Sequence, residues 1–387
     1  MTLAIHGGEP VRDRPFPEYR SYGIEERNAA HSVVASGMLS GFIADDSDAF
    51  WGGYHVKQLE NEWCDRFDVD HAISFNSATS ALTAACFAVG IQNGMEVIVP
   101  PWTMPASVTC VIMNQGMPVF VDVEPDTFCI DPDAIARRIA RRTRAIVAVD
   151  LFGCSARYDE ILDLARDKGL AIIEDAAQAP GAIYHDIPAG TIGDIGVYSL
   201  NQHKTIHCGE GGIAVTNDED LATKMALWRN HGEVADREEI GGNFRLSEIH
   251  AAVARVQLAR LDELTAPRIR YAETMTEGLR ELEGIIPPIV PDNVRHVFYR
   301  YVIKVANAKR FAEALKAEGI IPITAGYTPP LYHKRALRYF AFDGPLPIVE
   351  RLHKETVLLD LHAGMSELDI ADTLAAFRKV WQHRNEL

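Results

Sequence analysis

The sequence lacks several features that would assign it to a class at once. No apolar run approaches the roughly 20 residues that a membrane-spanning helix needs. The start, MTLAIHGGEPVRDRP, has neither the basic residues nor the long apolar stretch of a secretion signal. Only six cysteines occur in 387 residues (64, 86, 110, 129, 154 and 208), and none forms a C-x-x-C pair. They read as core residues of a reducing compartment, so we expect a cytoplasmic protein with no membrane partner.

Positive charge is also scarce. The chain has 38 Lys and Arg against 54 Asp and Glu, a net charge of −16. Such a chain repels nucleic acid phosphates, so we expect no nucleic acid partner. One basic cluster is an exception, and its helical spacing predicts a solvated helix face: Arg137, Arg138, Arg141, Arg142 and Arg144.

Apolar runs of strand length alternate with helix-like stretches from about residue 70 to 220. The strands are expected at 71–75, 96–100, 118–123, 144–153, 170–176, 195–200 and 212–217. This alternation predicts an α/β fold with a mostly parallel sheet covered by helices. A long helix is expected over 246–264, a strand near 298–305 and a last helix from about 366. We predict a large domain over 1–265, which includes the N-terminal segment, and a smaller α+β domain over 266–387.

Ligands of open α/β sheets bind at the carboxyl ends of the strands, where this sequence places polar residues. FNSATSAL passes from a strand to a helix, and its backbone N–H groups, with Ser77 or Thr79, could hold a phosphate. A plain helix cap by one of these hydroxyls is the alternative. Asp175 ends a very apolar strand, where a carboxylate requires a cation. A protonated pyridine nitrogen and an arginine are both candidates.

The stretch SLNQHKTIHCGEGG, residues 199–212, allows three readings. A zinc site could use His203, His207 and Cys208, but the spacing is poor and matching carboxylates are missing. The glycines are explained by a tight turn into the next strand. Lys204 is either an exposed loop lysine or an amine that forms a Schiff base with an aldehyde. The spacing alone does not decide between these.

Taken together and in order, these segments resemble the DegT/DnrJ/EryC1/StrS family of sugar and cyclitol aminotransferases. The resemblance spans nearly the whole chain. Its segments are LAIHGGEPVR, VKQLENEWCDRF, NSATSAL, PVFVDVEPDTFCIDP, EDAAQAPGA, GTIGDIGVYSLNQHKTIHCGEGG and GGNFRLSEIHAAVARVQLARLD. It implies the aspartate aminotransferase fold (fold type I), with a large mostly parallel-sheet domain and a smaller α+β domain. The implied cofactor is pyridoxal 5′-phosphate (PLP), which becomes pyridoxamine phosphate in the half-reaction, and no metal is implied.

The resemblance assigns roles residue by residue. Lys204 matches the lysine that links to PLP, and Ser199, five residues earlier, matches a serine that contacts the phosphate. Asp175 matches the acid that pairs with the pyridine nitrogen. Gln178 matches the residue near the phenolic oxygen. Some relatives carry histidine in place of the lysine and act as dehydratases, but His203 is out of register, which favours a transaminase.

Further matches concern the phosphate and the ring. Ala78 and Thr79, with Ser77, match the phosphate loop, and Asn243 matches an asparagine that reaches the phosphate of the neighbouring subunit. The last match implies a homodimer with shared active sites. The family usually has an aromatic residue stacked on the cofactor ring, but this sequence has Met104 there. A thioether can pack on a ring, and Trp102 is the other candidate.

The implied reaction moves an amino group from L-glutamine or L-glutamate to a keto-cyclitol or keto-sugar, in aminocyclitol, antibiotic or amino-sugar biosynthesis. A nucleotide-sugar acceptor is the alternative. A dehydratase or lyase and a non-catalytic PLP-binding regulator are further alternatives, and the matches at Lys204, Asp175 and Ser199 count against the regulator. The residues named as substrate contacts are Trp51, Tyr54, His55, Tyr327 and Tyr332, each with rim or packing residue as its alternative.

Overall fold

The computed structural model describes residues 2–234, 237–238, 240–320, 323–340 and 346–387. The described α-helices are α1 (Ile24–Ser36), α2 (Tyr54–Phe67), α3 (Ala78–Ala88), α4 (Ala106–Met113), α5 (Pro132–Arg138), α6 (Tyr158–Lys168), α7 (Glu219–Arg229), α8 (Glu248–Ala259), α9 (Leu261–Leu279), α10 (Ala308–Ala317), α11 (Pro347–Glu355) and α12 (Glu367–Gln382). The described strands are β1 (His71–Phe75), β2 (Glu96–Val99), β3 (Met117–Phe120), β4 (Thr143–Val149), β5 (Ala171–Asp175), β6 (Ile183–Tyr184), β7 (Ile187–Pro188), β8 (Ile195–Ser199), β9 (Gly212–Thr216), β10 (Glu233–Val234), β11 (Arg237–Glu238), β12 (Ile285–Ile286), β13 (Val294–Arg295), β14 (Tyr301–Val305), β15 (Ile323–Ala325) and β16 (Thr356–Leu359).

The central sheet confirms the predicted α/β architecture. Its strand order is β1-β9-β8-β5-β4-β2-β3. The strands β3, β2, β4, β5 and β8 pair in parallel, whereas β9 is antiparallel to both β8 and β1. The loop between β8 and β9 contains no crossover helix, so the two strands can pair only in antiparallel fashion. Residues such as Ile172 and Ile173 are buried on opposite faces of β5, because helices cover both sides of the sheet.

The basic cluster is not one helix face, so that prediction is wrong. Helix α5 ends at Arg138, and Ile139 is already extended. The hydroxyl of Thr143, the first residue of β4, accepts a hydrogen bond from the N–H of Ala140, and this turn returns the chain to the sheet. Helical spacing of charged residues does not reveal where such a turn begins.

The long helix expected over 246–264 is two helices. The break falls at Arg260, whose φ of −100° and ψ of 6° separate α8 from α9. Its guanidinium reaches across to the carbonyl oxygen of Ser21 and to Glu26. These contacts connect the break to the N-terminal part of the chain. The spacing of apolar residues within the helix does not predict them.

A second core lies beside the central sheet. The antiparallel sheet β12-β14-β16-β15 packs with α9, α10 and α12, and it contains the strand expected near 298–305. Leu3 is fully buried in this core, and Arg12 forms ion pairs of 2.7 Å with Asp369 and Asp372. The N-terminal segment thus packs with the C-terminal part.

The division into two domains at residues 265 and 266 stays a prediction, and α9 runs across this boundary. Within the described residues, no helix is long and apolar enough to cross a membrane.

A pair of fully buried carboxyl groups lies behind the carboxyl edge of the central sheet. Asp150 follows β4, and its Oδ1 accepts hydrogen bonds from the hydroxyl of Tyr158 and the N–H of Ala156. Glu174, in β5, accepts from the N–H groups of Gly190, Ile192 and Gly193. Burial raises the pKa of Asp150 well above its usual range, and the charge of Glu174 raises it further. Burial also raises the pKa of Glu174, but the three N–H groups that donate to it act in the opposite direction. We therefore expect Asp150 to be the member of the pair that holds a proton.

We predict that Asp150→Asn makes stability less sensitive to rising pH. Above pH ~4 the unfolded chain releases the Asp150 proton and the folded state keeps it. The free energy of unfolding therefore falls as pH rises, by up to about 1.4 kcal/mol per unit, until the folded pKa is passed. Urea unfolding from pH 5 to 8 should show a shallower fall for Asp150→Asn. Asp163→Asn, at an exposed position of α6, should match the wild type, and equal slopes for all three proteins would contradict a protonated Asp150.

Candidate active site

Several predicted cofactor-binding residues lie at the carboxyl edge of the central sheet. Asp175 ends β5 and Ser199 ends β8, while Ser77 directly precedes α3 after the end of β1. Lys204 lies in the loop that joins β8 to β9. Parallel neighbours bring their carboxyl ends to one edge, so residues far apart in sequence meet there.

Asp175 is a buried carboxylate without a permanent counter-ion. Its side chain accepts a hydrogen bond of 2.7 Å from the Ser107 hydroxyl and one of 3.2 Å from the N–H of Ala177. No ion pair joins it to an arginine among the described residues. Burial raises the pKa of Asp175, while the Ser107 hydrogen bond and the positive charge of Lys204 act in the opposite direction. The arginine alternative is thus not met, and the carboxylate fits a cationic ring nitrogen.

Lys204 lies within the same cleft. The residue is partly buried, and its Nζ lies 4.9 Å from the centroid of the Tyr299 ring. Its loop is held by hydrogen bonds from the N–H of Leu200 to Gly211 O and from the N–H of Gln202 to Gly209 O. Gly209 has a φ of +93°, a conformation that favours glycine. The glycines therefore make the turn that the sequence predicts.

The zinc alternative finds no support in the geometry. His203 is exposed, whereas His207 is buried and lies 3.0 Å from the Ser21 hydroxyl through Nε2. The thiol of Cys208 is directed at the backbone, with the carbonyl oxygen of Glu210 at 3.4 Å. Across the described part of the chain, no group of three or more His, Cys, Asp and Glu could hold a metal ion.

A cradle forms where β1, β8 and β9 meet the start of α3. Gly212 of β9 pairs with Phe75 of β1 and with Ser199 of β8. A Cβ on Gly212 would lie 2.4 Å from the backbone nitrogen of Ala78, so only glycine lets the strand approach the helix start this closely. The first N–H groups of an α-helix have no acceptor within the helix and attract anions. Ala78 and Thr79 occupy these positions.

Ser77 also caps α3. Its hydroxyl accepts a hydrogen bond of 3.1 Å from the N–H of Ser80, so the capping alternative holds for Ser77. The hydroxyl of Ser199 accepts one of 3.3 Å from the N–H of Asn201. Accepting this bond leaves the proton of the Ser199 hydroxyl able to serve an anion. The Ser77 hydroxyl also lies 3.0 Å from the hydroxyl of Ser80, which donates its own proton to Asn76. The cradle thus fits a phosphate group.

Gln178 joins the strand-end loop that holds Phe152 to the segment that holds Tyr327. Its Oε1 accepts a hydrogen bond of 2.9 Å from the N–H of Phe152, and its Nε2 donates to the hydroxyl of Tyr327 at 3.5 Å. Tyr327 is therefore one of the expected substrate contacts that the structure brings to the cleft.

The two candidates for stacking on the ring differ in exposure. Trp102 is fully buried, and its indole N–H donates to the carbonyl oxygen of Thr328 at 2.7 Å. Met104 is 60% exposed, and its carbonyl oxygen accepts the N–H of Ser107, the residue that hydrogen-bonds Asp175. Met104 stays the predicted stacking residue, because Trp102 is anchored in the core.

The other expected substrate contacts lie elsewhere. Trp51 and Tyr54 are exposed, and the ring of His55 lies 3.2 Å from the guanidinium of Arg255. Tyr332 is buried, and its hydroxyl donates to Glu350. No recorded contact joins these four residues to Lys204 or Asp175 within the described residues, so their substrate role stays a prediction.

Asn243 is exposed although its neighbours are held firmly. It forms an isolated bridge with Asn230, and the carbonyl oxygen of the next residue, Phe244, accepts the N–H of Asn76 at 2.8 Å. The side chain is thus presented at the surface close to the phosphate loop.

Two residues of the cleft, Ser107 and Tyr299, are not predicted from the sequence. Ser107 follows the strand end by several residues and resembles any hydroxyl in the first turn of a helix. Tyr299 lies in the apolar run FYRYVIKV, which the pattern assigns to the core. The sequence feature that could identify Ser107 is its polar side chain within the mostly apolar stretch PASVTCVIM.

Comparisons with known proteins agree with this geometry. The model of the DegT/DnrJ/EryC1/StrS aminotransferase family matches residues 43–378. The L-glutamine:scyllo-inosose aminotransferase of Streptomyces griseus is 34% identical over 424 residues, covering 100% of this chain and 99% of the relative. GDP-perosamine synthase of Caulobacter vibrioides is 35% identical over 368 residues, covering 90% and 97%.

A solved structure extends the agreement to three dimensions. The crystal structure of S. venezuelae DesV in complex with a ketimine intermediate aligns with a TM-score of 0.86 at 30% identity, over 93% of this chain and 95% of that one. The similarity thus covers nearly the whole chain, and the cleft contains a buried carboxylate, Asp175, on which the charge of Lys204 acts. The chain belongs to the DegT/DnrJ/EryC1/StrS aminotransferase family.

Proposed function

We propose that this aminotransferase moves an amino group from L-glutamine or L-glutamate to a keto-cyclitol, in the biosynthesis of aminocyclitol antibiotics or amino sugars. The amino-transfer chemistry is supported above all by one observation: the buried carboxylate of Asp175 has no arginine partner among the described residues, and the positive charge of Lys204 acts on it. The acceptor is supported by the full-length similarity to L-glutamine:scyllo-inosose aminotransferase.

Pyridoxal phosphate is the cofactor, and the residues of the cleft fit it. The cradle of Ser77, Ala78, Thr79 and Ser199 would hold the phosphate, and Asp175 would pair with the ring nitrogen. When bound, the cofactor supplies an electron sink for the negative charge that develops at the α-carbon of the donor. Lys204 would hold the cofactor through Nζ until the donor arrives.

The protein's own residues transfer the protons and orient the reacting groups. Once released, the Nζ of Lys204 is the base that removes the α-proton of the donor and later returns a proton. The Ser107 hydroxyl donates to one oxygen of Asp175, which would orient the carboxylate for pairing with the ring nitrogen. The side chain of Gln178, held by Phe152, is expected near the phenolic oxygen.

A nucleotide-linked keto-sugar is the second candidate acceptor. GDP-perosamine synthase is as similar in identity as the cyclitol enzyme, at 35%. Incubating the enzyme with L-glutamine and either scyllo-inosose or a GDP-linked keto-deoxysugar, followed by mass spectrometry, separates the two. Amination of the cyclitol supports the proposal, amination of the nucleotide sugar alone establishes the second candidate, and amination of neither contradicts both.

Two other functions, a dehydratase and a regulator without turnover, are less well supported. A dehydratase of this family would carry histidine in the position of Lys204, and the neighbouring His203 is exposed. A regulator without turnover would have no need for the ordered set of Asp175, Ser107 and Lys204. The six cysteines are free thiols, which is in keeping with the proposed cytoplasmic location.

A homodimer with shared sites is part of the proposal. Many exposed large apolar side chains fall within residues 22–54, a surface that favours contact with a second copy: Tyr22, Ile24, Val34, Met38, Leu39, Ile43, Trp51 and Tyr54. A second copy on this face would also explain why Trp51, Tyr54 and His55 lie away from the cleft of their own chain.

We predict that mixed dimers of Lys204→Ala and Asn243→Ala regain one complete site. If Asn243 reaches the phosphate of its partner, a mixed dimer has one site with both changes and one with neither. Each variant alone should be impaired, Asn243→Ala by weaker PLP retention. Refolding the two together, with differently tagged chains purified as the mixed species, should restore about half of the wild-type activity and retention. Mixed dimers whose functional site still loses PLP as readily as Asn243→Ala would contradict sharing.

A further inference from the structure

Two cations lie over one aromatic ring in the cleft. Tyr299, just before β14, is 7% exposed. The Nζ of Lys204 lies 4.9 Å from the centroid of its ring, and the Cζ of Arg300 lies 4.7 Å from the same centroid. Arg300 is thus separated from the reacting amine by no more than one aromatic ring.

Arg300 keeps hydrogen-bonding capacity to spare. One guanidinium nitrogen, Nη1, donates to Asp360 at 2.5 Å, and the backbone N–H donates to the carbonyl oxygen of Phe152 at 3.3 Å. The guanidinium carries five N–H groups, and none of the others is hydrogen-bonded to a described residue. The side chain is 26% exposed, and the N–H groups on Nε and Nη2 have the fork geometry that matches a carboxylate.

The charge of Arg300 acts on the cleft itself. Burial raises the pKa of Tyr327 to about 12 and Tyr299 adds to this, whereas the hydrogen bond to Gln178 and the charge of Arg300 act in the opposite direction. Tyr327 is the partner of Gln178. Arg300 therefore belongs electrostatically to the cleft that holds Lys204 and Asp175.

We infer that Arg300 binds the α-carboxylate of the amino donor. The inference rests on the proposed function and adds the residue that recognises the donor. A keto-cyclitol is uncharged, but L-glutamine and L-glutamate both carry an α-carboxylate next to the amine that reacts. A protein with a net charge of −16 repels such an anion, so binding requires a local cation. Arg300 supplies it beside the amine of Lys204, and Asp360 keeps the guanidinium oriented.

The test compares Arg300→Gln with the wild type as PLP-loaded protein. We expect the KM for L-glutamine to rise roughly ten- to hundredfold, as loss of a charge-assisted hydrogen bond requires, while the KM for the keto acceptor stays within about twofold. Arg300→Lys should recover part of the affinity, because lysine keeps the charge but not the fork. Arg295→Gln, an exposed arginine on β13, is the matched control and should equal the wild type.

Two further ligands test whether the α-carboxylate of the donor is the group that Arg300 binds. Glutaramate, which is glutamine without its amine, can bind but cannot react, and its Kd by calorimetry should rise in Arg300→Gln by the same factor as the KM. The decarboxylated donor 4-aminobutanamide should be used equally poorly by both proteins. An unchanged KM and Kd in Arg300→Gln, in an enzyme whose wild type reacts with glutamine, would overturn the inference alone. A wild type that reacts with neither glutamine nor glutamate would instead overturn the proposed function.

Discussion

Replacing Lys204 with alanine is expected to abolish the covalent link to PLP and to lower transamination by at least about a hundredfold, because the proton-transfer base is lost as well. The fold should survive. Lys204 is only partly buried, and the recorded contacts of its side chain are the Tyr299 ring and the charge of Asp175. Its loop is held by backbone hydrogen bonds that alanine retains.

Borohydride reduction followed by peptide mass mapping measures this directly. The wild type should carry reduced cofactor on the peptide that contains Lys204, and Lys204→Ala should carry none. Lys224→Ala, an exposed position of α7, serves as the matched control and should be labelled like the wild type. Cofactor still fixed to Lys204→Ala after reduction would refute the assignment.

Asp175→Asn is expected to lower kcat/KM by roughly 10²- to 10³-fold, the range observed when one preorganised electrostatic group is removed. An amide cannot stabilise a positive charge on the ring nitrogen, so the ring would be a poorer acceptor of electrons. The variant without cofactor should be at least as stable as the wild type. Burial raises the pKa of this carboxyl group, which means that its charge is costly to bury.

Steady-state kinetics and urea unfolding of the same preparations test both parts. Ser107→Ala, which removes only the hydroxyl that orients Asp175, should have a smaller effect in the same direction. Activity of Asp175→Asn within tenfold of the wild type would show that the ring nitrogen does not depend on this residue.

Much of the fold could be predicted because its signals are local. The strand ends at Asp175 and Ser199 follow from short apolar runs bounded by polar residues, and their order along the chain predicted a mostly parallel sheet. The antiparallel direction of β9 depends on the loop that contains Lys204 and Gly209. The spacing of apolar residues does not predict the geometry of that loop. The break at Arg260 coincides with contacts to distant residues, such as Glu26, and the end of α5 at Arg138 is followed by a turn that the Thr143 hydroxyl closes. The spacing of apolar or charged residues contains neither signal.

Family motifs predict the cofactor residues, but they do not predict the residues that support them. Ser107 and Tyr299 reach the cleft only because α4 and β14 pack beside the sheet edge. Conversely, Tyr332 was named for its chemistry, yet it is buried with its hydroxyl on Glu350. Residue type identifies what a side chain can do, but the packing of the second core against the first decides which side chains face the cleft.

The absorption spectrum of the purified protein, before and after addition of L-glutamine or L-glutamate in separate cuvettes, tests the central claim most directly. We expect a yellow protein whose visible band is bleached by one of these donors, as the amino group is transferred to the cofactor. A band that no donor bleaches would contradict an aminotransferase that uses these amino acids. No band, even after incubation with pyridoxal phosphate, would contradict the assignment of the cofactor cleft to Lys204 and Asp175.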